Sequence, residues 1–201
     1  MSARTQLRYV KNSQRAQTRG WILIALTALR LEAAETYRLD ASNTQVSFSV
    51  YHLGIQWITA RFSDISGQFV VDQKTSAGHV DVTVGTASLE CGEPRLNERL
   101  RSADWLDVQR YPQMTYHSSH IELAEQQAVA SGELTLHGIT RPIVLNVSLL
   151  KCSPAGHCQF AAHGRIKRSE YGLPHGFWSG GDQVDIAISG ALSRGAHNAP
   201  G

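Results

Sequence analysis

The stretch Gln45-Val-Ser-Phe-Ser-Val-Tyr-His52 alternates strictly between apolar and polar residues, and it places Val46, Phe48 and Val50 on one face. Successive side chains of a β-strand point to opposite sides, so a period of two predicts a strand with one buried and one wetted face. Strands of this kind are typical of antiparallel sheets. The stretch therefore predicts an antiparallel β protein.

The same alternation continues along most of the chain, interrupted by turn residues roughly every ten positions. The apolar faces of the further runs are Ile58, Ala60 and Phe62; Ile65, Gly67, Phe69 and Val71; Val80, Val82 and Val84; Met114 and Tyr116; Leu134 and Leu136; Ile143, Leu145, Val147 and Leu149; and Val184, Ile186 and Ile188. About eight strands must protect their edges, and closure into a barrel does so. A two-layer sandwich is the alternative that the pattern leaves open.

One segment, from Pro94 to Val108, has the periodicity of a helix. Its apolar residues recur at spacings of three and four: Leu96, Leu100, Ala103 and Leu106. Pro94 suits the first helical turn, with Glu93 beside it, and Ser102-Ala103-Asp104 can begin a second short turn. The segment predicts a short helical crossing between strands.

The first 34 residues resemble an export signal, with a basic stretch, the apolar run from Trp21 to Leu29 and then the small residues Ala33 and Ala34. The run is too short to span a bilayer. A cytosolic amphipathic extension is the alternative interpretation. We therefore divide the chain into a leader at 1–34, a folded domain at 35–192 and a small, polar, flexible tail at 193–201.

The charge of the folded part excludes one class of partner. The whole chain has a formal net charge of +2, but the leader holds six Lys or Arg and one acidic residue. The rest of the chain has 13 basic and 16 acidic side chains, a net charge of −3. It lacks the basic surface that contacts with phosphates require, so nucleic acid is not expected as a partner.

Two of the three cysteines bracket a turn. Cys152 and Cys158 enclose Ser-Pro-Ala-Gly-His between two apolar runs, so they can form a disulfide across a hairpin loop and leave Cys91 free. Such a disulfide favours an oxidising compartment. A zinc site built on both cysteines and His157 is the alternative, although no second ligand pair at metal spacing exists.

The sequence contains no catalytic or cofactor-binding motif that we recognise. The G-x-S-x-G elbow, the phosphate loop, H-E-x-x-H and the dinucleotide fingerprint are all missing. His117 and His120 look like a ligand pair, but residues three apart on a regular strand point to opposite faces. We therefore expect neither a metal site nor an enzyme.

Several ordered segments between Tyr37 and Leu192 carry a family resemblance. They are Tyr37-Arg-Leu-Asp40; Val46-Ser-Phe-Ser-Val-Tyr-His-Leu-Gly54; Arg99-Leu-Arg-Ser102 with Asp104-Trp-Leu-Asp-Val108 and Tyr111-Pro112; Gly132-Glu-Leu-Thr-Leu-His-Gly-Ile-Thr-Arg-Pro142; Arg168-Ser-Glu-Tyr-Gly-Leu173; and Gly181-Asp-Gln-Val184. Together they resemble the YceI-like polyisoprenoid-binding family. The chain departs from the family pattern at Asn97 and Arg99, where Asp and His are common, and at Ala60-Arg61-Phe62, where a Gly often precedes the aromatic residue.

The resemblance implies an eight-stranded antiparallel lipocalin-like β-barrel that is periplasmic in bacteria. It implies a long polyisoprenoid or isoprenoid-quinone-like lipid in the lumen and no other cofactor. A membrane electron-transfer protein and a second copy of the chain are the further partners that it raises. The competing functions are an enzyme or redox partner acting on a quinone-type lipid and a stress-related barrel without ligand.

The resemblance, together with the apolar strand faces, predicts a ligand-binding set. Its members are Phe48, Val50, Phe62, Phe69, Leu100, Trp105, Tyr116, Leu134, Leu136, Leu145 and Ile186, with Leu100 and Trp105 on the helix over one mouth. His52 continues the face of Phe48 and Val50 to the strand end, so it is the candidate donor to a polar head group. The alternative is that these side chains fill a solid core.

Overall fold

The computed structural model describes residues 35–52, 55–72, 77–124, 126–176 and 181–195. The predicted leader and residues 196–201 of the predicted tail lie outside the described residues. The described part contains ten strands and one α-helix: β1 Glu35–Leu39, β2 Gln45–His52, β3 Gln56–Phe62, β4 Ile65–Asp72, β5 Ala77–Gly85, α1 Pro94–Arg101, β6 Gln113–Ala124, β7 Gln127–Leu136, β8 Ile139–Cys152, β9 His157–Lys167 and β10 Gln183–Arg194.

The strands close into an antiparallel barrel. Hydrogen-bonded neighbours run in the order β1, β4, β5, β6, β7, β8, β9 and β10, and β10 returns to β1. β2 continues β1 along the same edge of β10, and β3 pairs with β2. The pairs β1–β2 and β3–β4 thus act as two long, interrupted strands. The barrel is eight-stranded, which confirms the predicted fold and excludes the sandwich.

The interruption in each long strand coincides with a local change in the chain. Between β1 and β2, the Asp40 carboxylate accepts hydrogen bonds from Ser42 N (3.1 Å), Ser42 Oγ (2.6 Å) and Asn43 Nδ2 (2.7 Å) and holds a 3-10 turn at Ala41–Asn43. These bonds lower the pKa of Asp40. Between β3 and β4, the buried positions change from even to odd numbers, from Phe62 to Ile65.

The two ends of the barrel differ. One end carries the β2–β3 hairpin, the crossing from β5 to β6 that contains α1, and the β7–β8 turn; we call it the mouth end. At the β7–β8 turn His137 and Gly138 both have positive φ, 52° and 73°, as a two-residue I′ turn requires. At the other, closed end, the Phe160 ring packs against Phe69 with centroids 5.9 Å apart.

Cys152 and Cys158 are joined by a disulfide between β8 and β9, at the closed end. Cys91 is free, so the predicted pairing is confirmed. Since both sulfurs are bonded to each other, they cannot serve zinc as thiolates. In the described ranges no group of three or more His, Cys, Asp or Glu side chains could hold a metal ion.

We expect the Cys152→Ser/Cys158→Ser double variant to lose about 2 kcal/mol of unfolding free energy, because the disulfide restricts the unfolded chain over a short loop. Urea unfolding without reductant measures this loss. Wild-type protein treated with reductant should show the same shift. A variant with the wild-type midpoint would contradict the prediction.

The predicted helix is correct only in its first half. α1 ends at Arg101, because Ser102 adopts an extended backbone (φ −65°, ψ 167°) and its Oγ donates to Arg99 O at 2.7 Å. The chain then continues as turns, in which Trp105 N donates to Ser102 O. Trp105 therefore lies beyond the helix and not on it. None of the helices in the described residues has the length and apolar character needed to cross a bilayer.

His117 and His120 do not lie on a regular strand, so the rule that residues three apart point to opposite faces does not apply to them. The β6–β7 register shifts between them, which is a β-bulge, and both side chains are exposed on the outer surface. Each has a separate carboxylate neighbour: His117 Nδ1 lies 2.7 Å from Asp81 Oδ1, and His120 Nε2 lies 3.2 Å from Glu122 Oε1. The bulge changes which face the strand presents beyond residue 117.

The barrel extends two residues past the predicted domain end. β10 continues to Arg194, which pairs with Tyr37 of β1. Arg194 Nη2 also lies 3.5 Å from Glu35 Oε2, and Gly195 N donates to Thr36 O. Ser193 and Arg194 thus belong to the strand that closes the barrel and not to a tail.

Tyr171 gives the fold a testable pH dependence. Its side chain is fully buried, and burial raises its pKa from 10.0 to about 12. The folded state holds the phenol proton more tightly than the unfolded state does. The protonated phenol therefore contributes stability that is complete below pH 10 and is lost as the pH rises towards 12. At pH 11 we expect a loss of about 1.4 kcal/mol.

The Tyr171→Phe variant should not show this part of the destabilisation at alkaline pH, since phenylalanine has no phenol proton to release. Urea unfolding at pH 9 and pH 11 measures the difference. Identical pH dependence in the Tyr171 variant and the wild type would refute the assignment.

Candidate functional site

The barrel encloses two apolar chambers. The inner chamber, about 70 Å³, lies towards the closed end and is bounded by side chains from β1, β2 and β4 to β10. The mouth chamber, about 360 Å³, lies at the mouth end between β2, β3, α1 and the ends of β7, β9 and β10. Its volume falls within the range of small-molecule sites. The inner chamber is about one fifth as large.

All twelve residues predicted to bind the ligand line one of these chambers. Phe69, Tyr116, Leu134, Leu145 and Ile186 line the inner chamber, Val50, His52, Phe62, Leu100, Trp105 and Leu136 line the mouth chamber, and Phe48 lines both. Their contact with a ligand stays a prediction. The lumen is thus wider in its mouth half than in its inner half.

Phe48 marks the boundary between the chambers. Among the described residues it alone lines both. Its ring meets Phe62 edge to face, with centroids 5.3 Å apart, and Phe62 is buried. This contact fixes the orientation of the Phe48 ring.

Helix α1 lies along the mouth chamber. The Glu93 carboxylate caps its start by accepting from Arg95 N (3.2 Å) and Leu96 N (2.6 Å), with Pro94 in the first turn as predicted. Leu96 and Leu100, four residues apart, turn towards the chamber. The helix therefore supplies part of the apolar wall at the open end.

Asn97, one of the departures from the family pattern, fastens this helix to the barrel. Its side chain is buried, its Oδ1 accepts from Cys91 N at 2.9 Å, and its Nδ2 donates to Glu90 Oε1 at 2.5 Å. Glu90 in turn exchanges two backbone hydrogen bonds with Arg61 of β3. The hydrogen bond that the Glu90 carboxylate accepts from Asn97 is the main cause of the lowered pKa of Glu90. Asn97 is thus a structural residue.

Trp105 lies between two guanidinium groups at the mouth. Arg99 Cζ stands 5.7 Å and Arg168 Cζ 5.6 Å from the indole ring centroid, distances at which cations are attracted to the ring face. Arg168 is buried and its Nη2 donates to Gly181 O. Burial lowers the pKa of Arg168, against the opposing charge of Asp182. Arg168 stays cationic near neutral pH.

The polar side chains that line the mouth chamber are few, and one of them, Arg168, is buried. They are His52, Gln56, Glu93, Arg99 and Arg168. An amphiphile with its chain in the barrel would therefore place its head group among hydrogen-bond donors and two cations. His52 lies in this group, where the sequence predicted it.

The sequence did not predict the part that Arg168 and Leu96 play in the mouth. Arg168 belongs to the segment Arg168-Ser-Glu-Tyr171 of the family resemblance, which could have drawn attention to it. Its partner Trp105 lies far away in sequence, so no local pattern connects the two. Leu96 was part of the helical periodicity, but its orientation towards the lumen depends on how α1 packs.

Fold and site together define an antiparallel β-barrel with an apolar internal cavity that opens at one end. The YceI-like domain model matches residues 37–192, and the chain belongs to the YceI-like family. Protein YceI of Escherichia coli O157:H7 is 32% identical over 163 residues, which cover 78% of this chain and 85% of that relative.

Solved structures share the fold. Burkholderia cenocepacia BcnA superimposes with a TM-score of 0.69 at 25% identity, and the match covers 77% of this chain and 99% of BcnA. A domain from Saccharophagus degradans, described as a polyisoprenoid binding domain implicated in plant cell wall breakdown, has a TM-score of 0.61 at 21% identity. That match covers 79% of this chain and 98% of the domain.

Proposed function

We propose that this protein binds a long-chain polyisoprenoid or isoprenoid-quinone-like lipid inside its barrel and carries or sequesters it in the bacterial periplasm. The observation that carries the proposal is the pair of apolar chambers inside the barrel, of which the larger one, at the mouth end, has five polar residues among those that line it. A chain lies in the barrel and a head group lies at His52, Arg99 and Arg168. The polyisoprenoid-binding relative from Saccharophagus degradans supports this ligand class.

The energetics favour such a carrier. At about 0.8 kcal/mol per buried methylene, a tail of about 20 carbons gains up to roughly 16 kcal/mol on leaving water, an upper limit because free tails coil. A lipid with so low a solubility needs an enclosed path through water. A tail longer than the mouth chamber would have to displace the Phe48 ring from its contact with Phe62 to reach the inner chamber.

Native mass spectrometry of protein purified from a bacterial host tests the proposal. We expect a co-purified isoprenoid lipid that is released on denaturation. Protein that carries no lipid, and takes none up from detergent-dispersed polyprenol or ubiquinone, would favour the barrel without ligand. Chemical conversion of the bound lipid during incubation would favour the enzyme.

The periplasmic location rests on the export-like leader and on the disulfide, which forms in oxidising compartments. We expect the leader to be removed near Ala34 when the full chain is produced in a Gram-negative host. N-terminal sequencing of protein from the periplasmic fraction measures this. Finding an intact Met1 or Ser2 in the cytosolic fraction would contradict export.

A further inference from the structure

The β2–β3 hairpin carries an exposed apolar surface. Three of the six large apolar side chains that are exposed in the described ranges lie here: Tyr51 (43% exposed), Ile55 (77%) and Trp57 (57%). Tyr51 and Trp57 are paired across the strands, and their ring centroids are 5.2 Å apart. We call Tyr51, Ile55 and Trp57 the rim patch.

The rim patch is the outer surface of the wall that bounds the mouth chamber. The alternating positions of the same strands, Val50, His52 and Ile58, line that chamber from within. A lipid that leaves the barrel at the mouth therefore emerges next to the rim patch.

Charge is distributed unevenly around this mouth. From Asn43 to Ala60 the sequence contains no Asp, Glu, Lys or Arg. Across the mouth chamber, α1 carries three arginines and Glu98, and the Glu93 carboxylate caps its start, so the helix with its cap has a net charge of +1. The chain from residue 35 onwards has a net charge of −3. The mouth end thus combines an uncharged apolar hairpin with a cationic helix on an otherwise acidic domain.

We propose that the rim patch and α1 dock the mouth of the barrel on an anionic phospholipid bilayer, where the bound lipid is exchanged. The inference rests on the proposed lipid binding. Trp and Tyr favour the interface between hydrocarbon and water, because their rings are apolar and their N–H or O–H groups are polar. Basic side chains near the surface are attracted by anionic head groups.

A second copy of the chain fits these observations less well than a bilayer. A stable protein interface needs about 20–30 residues on each side. The rim patch offers three large side chains, and the charge of α1 would repel the same helix of a second copy brought to the same surface. A bilayer accepts a small apolar insertion flanked by cations.

Co-sedimentation with vesicles of phosphatidylethanolamine and phosphatidylglycerol tests the docking. We expect the Ile55→Ser/Trp57→Ser variant to bind about tenfold more weakly than the wild type, because less apolar area enters the interface. Val144→Ser/Leu150→Ser is the matched control, since both residues are exposed apolar side chains on β8. It should bind like the wild type.

Wild-type affinity in the Ile55/Trp57 variant would overturn the proposal, and so would an equal loss in the control. A dimer that this variant breaks while vesicle binding is unchanged would assign the patch to a second copy. Vesicles of phosphatidylcholine alone should bind the wild type more weakly, and equal binding would refute the role of α1.

The lipid content of the same preparations separates this inference from the proposed function. Both variants should retain bound lipid by mass spectrometry, because none of the four positions lines a chamber. A wild type that docks on vesicles but never holds lipid would refute the proposed function and support the docking. Circular dichroism confirms that each variant is folded.

Discussion

The Phe48→Asp variant is expected to lose its bound lipid and about 3 kcal/mol or more of unfolding free energy, because an unpaired carboxylate would enter an apolar lumen. Phe48 lines both chambers and packs against Phe62, so the new charge would lie at the boundary between the two chambers. Ala60 faces Phe48 on β3 and Ile186 faces it on β10, and neither can pair with the carboxylate.

Phe48→Leu is the matched variant, since it keeps an apolar side chain at the boundary. It should retain most of the lipid and lose at most about 1–2 kcal/mol. Urea unfolding and mass spectrometry of extracted lipid must be read together, because an unfolded barrel also loses its ligand. An Asp variant that stays folded and keeps wild-type lipid would show that the ligand does not pass Phe48.

Gly132→Val is expected to cost about 3 kcal/mol or more, because a side chain here has no room. Gly132 lies on β7 opposite the β6 bulge, where a Cβ atom would collide with His117 O and lie 2.9 Å from Ser118 Cα. Both contacts are to backbone, so relief requires β6 and β7 to separate. Ser118, fully buried in the bulge, would lose its contact with Ser131 O at 2.7 Å.

Ser131→Val tests whether this loss is specific, since it adds the same side chain at the neighbouring, exposed position. We expect its free energy of unfolding to lie within about 0.5 kcal/mol of the wild-type value. Urea unfolding followed by circular dichroism compares the two variants. Equal urea midpoints for the two variants would mean that the bulge accommodates the added side chain without loss of stability.

The fold could be predicted because the alternation of apolar and polar residues within each strand shows which of its faces is buried. The runs around Phe48, Leu134 and Ile186 alternate without interruption, and even the break between β3 and β4 shows in the sequence as the change of parity from Phe62 to Ile65. The disulfide was predictable for the same reason, since Cys152 and Cys158 flank one short turn. These features depend only on neighbours in sequence.

The features that the sequence missed depend on contacts between distant segments. The bulge at His117 exists because β6 must fit β7, where Gly132 lets the backbones approach. The end of α1 is set by Ser102, whose side chain donates a hydrogen bond to the Arg99 carbonyl and whose backbone does not continue the helix. The cation–π contacts join Trp105 to Arg168, 63 positions later in the sequence. Periodicity carries no information about such pairings.

The short pairing of β1 with β10 has a consequence for the order of events during synthesis. Only three residues of each strand face one another, and they join positions as distant as Tyr37 and Arg194, 157 residues apart. Bringing such remote segments together is entropically costly and slow. Until the final strand has emerged from the ribosome, the chain has open sheet edges and no enclosed lumen. The lumen therefore closes only after the whole polypeptide has been made.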